Sequence, residues 1–118
     1  MIDIQARNFT LTEAIENHIR EKLEPMIQHF GDRILFVEVH LSDDNGPKGG
    51  IDKHCHIHVG MKKLPTVVIE DSEENMYAAI DLAAHRAERA VRKTIEKVQT
   101  KSRNVDKAAI IGSSPTEL

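Results

Sequence analysis

Five cations at helical spacing are the residues of this 118-residue chain whose types and positions best indicate a binding chemistry. At about 100° per residue they fall in one stripe, roughly 120° wide, on an α-helix. The stripe is about 22 Å long at ~1.5 Å per residue, too long for one small anion. Guanidinium and ammonium groups bind phosphate oxygens, so the pattern predicts a phosphate backbone as the ligand. This basic stripe consists of Arg86, Arg89, Lys93, Lys97 and Lys101.

The rest of the chain is acidic. Residues 1–80 carry 8 Lys or Arg against 14 Asp or Glu, whereas residues 81–118 carry 8 against 5. The overall net charge of −3 excludes a histone-like protein that coats nucleic acid everywhere, but it permits a local basic footprint. Arg7 and the Lys62-Lys63 pair in a predicted turn extend the predicted footprint. Two other interpretations remain open: a solvated helix face, and a regulatory module whose basic helix meets an acidic protein partner.

Aromatic residues are scarce. The chain has 3 Phe, 1 Tyr and no Trp, too few for the exposed aromatic platform on which single-stranded bases stack. A basic helix on a sheet without such a platform favours recognition of RNA shape and phosphates.

Four histidines form the second group. His54, His56 and His58 alternate along a predicted strand, and His40 lies on its predicted neighbour. Alternate strand residues share one face about 6.5–7 Å apart, so two imidazoles from adjacent strands are close enough to share a zinc ion. The favoured interpretation is an open, polar sheet face without a metal. A metal-binding protein, an RNA contact and a pH response are the alternatives.

No catalytic residues are predicted. Strand alternation turns Cys55 away from its histidine neighbours, which predicts a buried structural cysteine. The carboxylates lie in predicted loops and at a helix start, without an acid/base pair. One cysteine, the absence of a leader pattern and the absence of a long apolar run predict a cytoplasmic protein without a membrane partner.

The predicted elements explain how the cations are positioned. Strands are predicted at residues 2–7, 34–41, 53–62 and 66–70, with Leu35, Val37, Val39 and Leu41 facing inward. A first helix begins at a Thr10–Glu13 capping box, is kinked or interrupted at Pro25, and ends at Gly31. A second helix spans 73–101, is capped by Asp71 or Ser72, and has Met76, Ile80, Ala84, Ala87, Val91, Ile95 and Val98 on its apolar face.

The resulting β-α-β-β-β-α order predicts an α+β two-layer sandwich. Its four-stranded sheet is mainly antiparallel, with both helices on one face, and the first strand pairs parallel to a neighbour. Residues 1–101 form one domain, and 102–118 form a flexible C-terminal tail.

Three segments resemble one protein family. Glu74-Asn75-Met76-Tyr77-Ala78-Ala79-Ile80-Asp81-Leu82-Ala83-Ala84, followed by Arg86-Ala87-Glu88-Arg89, resembles the signature of the ribosome hibernation-promoting factor and ribosome-associated inhibitor family. The opening Ile4–Asn8 and Leu11–Ile15, and the strand His54–Val59, resemble that family too. The resemblance covers residues 2–101.

The resemblance implies a fold similar to a double-stranded-RNA-binding domain and no catalysis or cofactor. It implies binding of a monomer to the 16S-type rRNA of the small ribosomal subunit, rather than to DNA. There the protein blocks the mRNA and tRNA sites under stress or in stationary phase. The rRNA contacts carry over to Arg86, Arg89, Lys93, Lys97, Lys101, Arg7 and Lys62.

Two departures from the family pattern stand out. Asn75 occupies a position where an acidic residue is usual, which affects how the helix begins. The chain is similar to the short class, without the second domain by which long members pair ribosomes.

Overall fold

The computed structural model describes the backbone of residues 2–44 and 52–111, and the side chains of residues 2–44 and 52–98. Strands and helices follow one another in the predicted order, with one short 3-10 turn added. Their bounds are β1 Ile2–Arg7, α1 Glu13–Phe30, the 3-10 turn Gly31–Arg33, β2 Ile34–Asp43, β3 Lys53–Met61, β4 Leu64–Glu73 and α2 Met76–Ile111.

The strands form a single four-stranded sheet in the spatial order β1-β2-β3-β4. β1 pairs parallel to β2, and the other two pairs are antiparallel. A parallel pair needs a long crossover, which α1 supplies between β1 and β2. The predicted mainly antiparallel sheet with a parallel first strand is therefore confirmed.

One face of the sheet forms the core. Ile4, Val39, Ile57 and Ile69 lie directly opposite one another across the four strands. Both helices bury their apolar faces against this side, which confirms the predicted two-layer sandwich and leaves the other face of the sheet open. The buried helix side chains are Ile19, Leu23 and Met26 of α1 and Met76, Ala79, Ile80, Ala83, Ala84, Ala87, Val91 and Ile95 of α2.

The start of α1 differs from the prediction. The helix begins after Thr12, whose Oγ1 accepts a hydrogen bond from the Ile15 amide at 3.2 Å, so Thr12 and not Thr10 is the N-cap. Pro25 lies inside the helix, which runs on to Phe30 without interruption. Proline removes a single amide donor, and Pro25 is on the exposed side of α1, where the freed carbonyl is accessible to solvent.

The start of α2 also differs. β4 continues to Glu73, so the predicted caps Asp71 and Ser72 belong to the strand. Asn75 caps the helix instead: its Oδ1 accepts hydrogen bonds from the amides of Tyr77 at 2.8 Å and Ala78 at 3.2 Å. The departure from the family pattern at Asn75 therefore preserves an N-cap acceptor.

The end of α2 lies beyond the predicted one. The helix continues to Ile111, so the first ten residues of the predicted tail are helical. No glycine or proline occurs between residue 102 and Gly112, which removes the usual stop signals. The rest of that tail, 112–118, lies outside the described residues. Val98 is exposed, although its spacing placed it on the apolar face, because α2 leaves the core after Ile95.

An irregularity at the start of β2 corrects one more prediction. Leu35 was expected to face inward but is 56% exposed, and Ile34 is buried in its place. The pairing of β2 with β3 shifts register between Ile34 and Phe36. An extra residue in one strand reverses the alternation before it, which periodicity alone does not reveal.

Candidate nucleic-acid interface

The basic stripe lies on the flank of α2 that faces away from α1. α1 contacts the other flank: the Asp81 Oδ1 atom is 2.6 Å from His18 Nε2, and the Tyr77 ring meets the His18 ring edge-on at 4.9 Å. Farther along, the Arg92 guanidinium lies 5.9 Å from the centre of the Phe30 ring. Because these contacts fix one flank, helical geometry places the stripe on the opposite flank, beside the edge strand β4.

Arg86 is tied to the sheet. Its Nη1 donates a hydrogen bond to the backbone oxygen of Glu70 at 2.7 Å and lies 3.8 Å from Asp71 Oδ2. Both partners belong to β4, whose outer edge is not covered by another strand of residues 2–44 or 52–111. The first cation of the stripe is therefore engaged within the protein and helps to join α2 to β4.

The next three cations are free. Arg89, Lys93 and Lys97 are exposed, and none of them makes a hydrogen bond or an ion pair within the described part of the chain. At four-residue spacing they follow one another about 6 Å apart along the helix axis. The fifth cation, Lys101, continues the same helical register, but its side chain lies outside the described residues.

Among the described side chains of α2, Asp81 and Glu88 lie on the side of α1, and Glu96 lies at the edge of the stripe. Glu88 Oε2 is 3.4 Å from Arg92 Nη2, one helical turn along, and Asp81 is bound to His18. No carboxylate within the described side chains pairs with Arg89, Lys93 or Lys97, so these cations can approach an external anion without first breaking an ion pair.

Lys62 lies at the domain end toward which the stripe runs. Its amide donates to the backbone oxygen of Arg33 at 2.9 Å, and Arg33 follows the end of α1, where Phe30 meets Arg92. Arg33 and Lys63 are exposed at this end too. Lys63 belongs to the turn pair that the sequence already indicated. Sequence reasoning missed Arg33, because its position at this end of the domain depends on tertiary packing.

Arg7 does not join the stripe. It lies at the end of β1, on the open face of the sheet, whereas α2 packs on the other face near β4. β1 and β4 are the two outer strands, so the whole sheet separates Arg7 from the stripe. Of the seven predicted contacts, Arg7 therefore belongs to a different surface.

The histidines lie on the open face, as the favoured interpretation predicted. His40 and His58 stack with ring centres 5.8 Å apart and planes inclined by 23°. His54 is held by Ser72 Oγ at 2.7 Å and by Asp44 Oδ2 at 3.0 Å. Within the described ranges, no three His, Cys, Asp or Glu side chains form a group able to hold a metal ion.

Cys55 is fully buried on the helix side of the sheet, as predicted. Burial, with a smaller contribution from the negative charge of Asp71, raises the pKa of the Cys55 thiol to about 12. The thiol is therefore protonated at neutral pH and is a packing group, not a nucleophile.

A match to one protein family covers most of the chain. Residues 2–99 match the family described as "Sigma 54 modulation protein / S30EA ribosomal protein". The chain belongs to this family. It is not a family of enzymes, in agreement with the expectation that the chain has no catalytic role.

Three relatives show the range of similarity. The chain is 37% identical over 95 residues to the ribosome hibernation promotion factor of Picosynechococcus, a match that covers 80% of this chain and 48% of the relative. It is 30% identical over 105 residues to the protein of that name from Staphylococcus aureus, covering 86% and 52%. It is 25% identical over 104 residues to the chloroplastic ribosome-binding factor PSRP1 of spinach, covering 86% and 34%. The chain thus spans about half the length of the first two relatives.

Solved structures share the fold. The crystal structure of the N-terminal domain of Thermus thermophilus Protein Y is 27% identical, with a TM-score of 0.63 over 77% of this chain and 93% of that one. A ribosomal subunit interface protein from Coxiella burnetii has a TM-score of 0.65 over 78% of this chain and 93% of that one. At 21% identity the second likeness shows the fold alone. Both confirm the α+β class.

The described part of the chain contains no helix that could span a membrane. Neither α1 nor α2 has a stretch that is long and apolar enough to span a bilayer.

Proposed function

We propose that this chain is a ribosome-associated hibernation factor that binds the 16S-type rRNA of the small subunit. It acts under stress or in stationary phase, as a single copy in the cytoplasm. By lying in the channel that mRNA and the tRNAs use, it blocks translation and keeps the ribosome idle. Family membership and relatives named for ribosome hibernation and ribosome binding support the proposal.

The three free cations Arg89, Lys93 and Lys97 are the observation that carries the proposal. They lie on one flank of a long helix and have no partner among the described residues. A rigid row of cations neutralises several phosphates at once and releases the counterions condensed on RNA. Lys62, at the end of the domain toward which the row runs, extends the same contact.

The scaffold suits a mechanism by occupancy. Ala79, Ala83 and Ala87 are fully buried in the contact between α2 and the sheet, which brings the helix backbone close to the strands. His18 and Asp81 join the two helices across their other flank. A helix held on both sides presents its cations without reorganisation, and excluding mRNA and tRNA requires only that the domain fill the site.

Charge reversal at two of the free cations tests the proposal. The variant Arg89→Glu/Lys93→Glu is compared with Arg20→Glu/Lys22→Glu, which makes the same change in net charge at exposed positions of α1. Co-sedimentation with purified small subunits over a salt series is the measurement. We expect the α2 variant to bind much more weakly, with a salt slope reduced by about 1.4–1.8 because two phosphate contacts are lost. The α1 variant should bind like the wild type.

Equal pelleting of both variants and the wild type at moderate salt would contradict the proposal. So would an unchanged salt slope, since it would show that neither cation neutralises a phosphate. Loss of binding to an acidic protein, with small-subunit binding intact, would favour the alternative of a protein-interaction module.

A further inference from the structure

A cleft opens on the face of the sheet that the helices leave uncovered. Its volume is about 360 Å³, within the range of pockets that hold small molecules. Nothing in the proposed action of α2 uses this surface, because the sheet separates the two. The sheet cleft is lined by Gln5, Ala6, Arg7, His40, Leu41, Ser42 and His56.

The polar side chains of the cleft come from two neighbouring rows of the sheet. Gln5, His40 and His56 lie directly opposite one another on β1, β2 and β3, and Arg7 lies opposite Ser42 in the next row. Neighbouring strands are about 4.8 Å apart, and neighbouring rows on one face about 6.5–7 Å. An amide, a hydroxyl, a guanidinium and two imidazoles therefore converge on a space the size of one small ligand.

Arg7 is the fixed positive charge of the cleft. It is exposed and makes no hydrogen bond or ion pair within the described part of the chain. A guanidinium offers a planar fork of donors that matches two oxygens of a phosphate, and the Ser42 hydroxyl across the strand pair adds a further donor. The Arg7 end of the cleft is therefore suited to an oxyanion.

The histidine end of the cleft is suited to a planar ring. The side chains of His40 and His56 are 46% and 41% exposed. His58 stacks on His40, which fixes the orientation of that ring. Exposed histidine rings are among the groups on which RNA-binding proteins stack unpaired bases.

We propose that the sheet cleft binds one nucleotide, with its phosphate on Arg7 and Ser42 and its base against His40 and His56. The nucleotide is either a free ribonucleotide or one unit of a single RNA strand, since both present the same phosphate and base. The inference goes beyond ribosome binding by α2 and does not require it, because the two surfaces lie on opposite sides of the sheet.

Each imidazole of the cleft has a carboxylate at its side. His40 lies 3.9 Å from Glu38, and His56 lies 3.6 Å from Glu70. The phosphate is therefore assigned to the guanidinium of Arg7, and the two histidine rings are assigned to the base.

NMR chemical-shift mapping of the full chain tests the inference. Adenosine monophosphate, adenosine, inorganic phosphate and a short oligoadenylate are titrated in turn. We expect the monophosphate to shift the resonances of the residues that line the cleft. Arg7→Gln should weaken binding of the monophosphate about tenfold, because one charge-assisted hydrogen bond to the phosphate is lost. The matched control Arg20→Gln, an exposed arginine of α1, should have no effect.

Comparison of the probes separates the outcomes. If the oligoadenylate shifts the cleft resonances and binds more tightly than the monophosphate, the natural ligand is one unit of an RNA strand. If the two probes bind with equal affinity, the natural ligand is a free nucleotide. Adenosine or phosphate alone binding as tightly as the monophosphate would overturn the inference, as would shifts confined to α2. The Arg89→Glu/Lys93→Glu variant should keep the cleft shifts even if it no longer binds small subunits, so failure of one proposal is distinguishable from failure of the other.

Discussion

The guanidinium of Arg86 donates a hydrogen bond to the backbone oxygen of Glu70 at 2.7 Å. This contact joins the helix that carries the basic stripe to the edge strand of the sheet. It divides the stripe into a first cation that is bound within the protein and, among the described side chains, three later cations that are free for an external ligand: Arg89, Lys93 and Lys97. Position along the helix therefore determines what each arginine does.

Replacing Arg86 by alanine should mainly reduce stability, whereas replacing Arg89 by alanine should mainly reduce binding to the small subunit. Arg86→Ala removes an internal hydrogen bond at an edge strand and should cost about 1 kcal/mol of stability, lowering the melting temperature by a few degrees. Arg89→Ala should leave stability unchanged but weaken small-subunit binding more than Arg86→Ala does. Thermal unfolding and co-sedimentation of both variants are the measurements. Equal melting temperatures would show that the contact with Glu70 contributes nothing to stability.

The cap at Asn75 gives a second prediction. Its side-chain oxygen accepts from two amides at the start of α2, so Asn75→Ala should cost about 1 kcal/mol. Asn75→Asp should retain the stability of the wild type, because aspartate accepts the same hydrogen bonds and its charge suits the helix N-terminus. Chemical denaturation of the two variants measures both effects. If aspartate proved as destabilising as alanine, the cap would not be the reason for the residue at this position.

The sequence predicted the parts of the fold that follow from local patterns. Alternation placed Val37, Val39 and Cys55 on the buried face, and the 3.6-residue period placed Ile80 and Val91 in the core; the structure agrees. These assignments are reliable because the buried face specifies the register. A shift of one residue along a strand would turn all of its apolar side chains toward solvent.

The sequence-based predictions that failed concern features that depend on tertiary structure. Leu35 is the extra residue at the register shift between Ile34 and Phe36, and this shift becomes visible only when β2 is paired with β3. The N-caps were predicted at Thr10 and at Asp71 or Ser72 because these side chains can accept a hydrogen bond from a helix amide. The true caps are Thr12 and Asn75, because α1 begins after Thr12 and β4 continues to Glu73. Arg7 was grouped with the stripe because a sequence does not indicate on which side of a sheet a distant residue lies.

Gly60 should tolerate alanine poorly while Phe36 is present. A β-carbon built at Gly60 would lie 2.0 Å from the nearest atom of the Phe36 ring, which covers the glycine across the two strands. Gly60→Ala must push the ring outward, and we expect a cost of about 1–2 kcal/mol. The ring is 40% exposed and can move, which keeps the cost moderate.

A double-mutant cycle isolates this contact. Gly60→Ala in a Phe36→Ala background should be nearly neutral, because the clash is gone. Denaturation of the four proteins gives the coupling between the two sites. Additive costs would indicate that backbone conformation at Gly60, and not the ring, opposes the side chain.

Alkaline pH should destabilise the protein in part through Cys55. Burial raises the pKa of the Cys55 thiol to about 12, from the ordinary value of 9.0 that applies to the unfolded chain. Between these values the unfolded thiol loses its proton and the folded thiol keeps it, so the unfolded state is favoured as the pH rises. Stability from this group is fully present below about pH 9 and is lost progressively above it. Cys55→Ala should lower stability at neutral pH, because it leaves a cavity, but it should show a shallower decline between about pH 9 and pH 10.5.

Urea denaturation across the alkaline range compares the two proteins. The difference between their slopes of stability against pH isolates the contribution of Cys55 from that of every group the two proteins share. Thiol labelling gives an independent readout: native Cys55 should react far more slowly at about pH 8 than the unfolded chain does, because it is both buried and protonated. Parallel slopes, together with rapid native labelling, would mean that the thiol reaches solvent in the folded state.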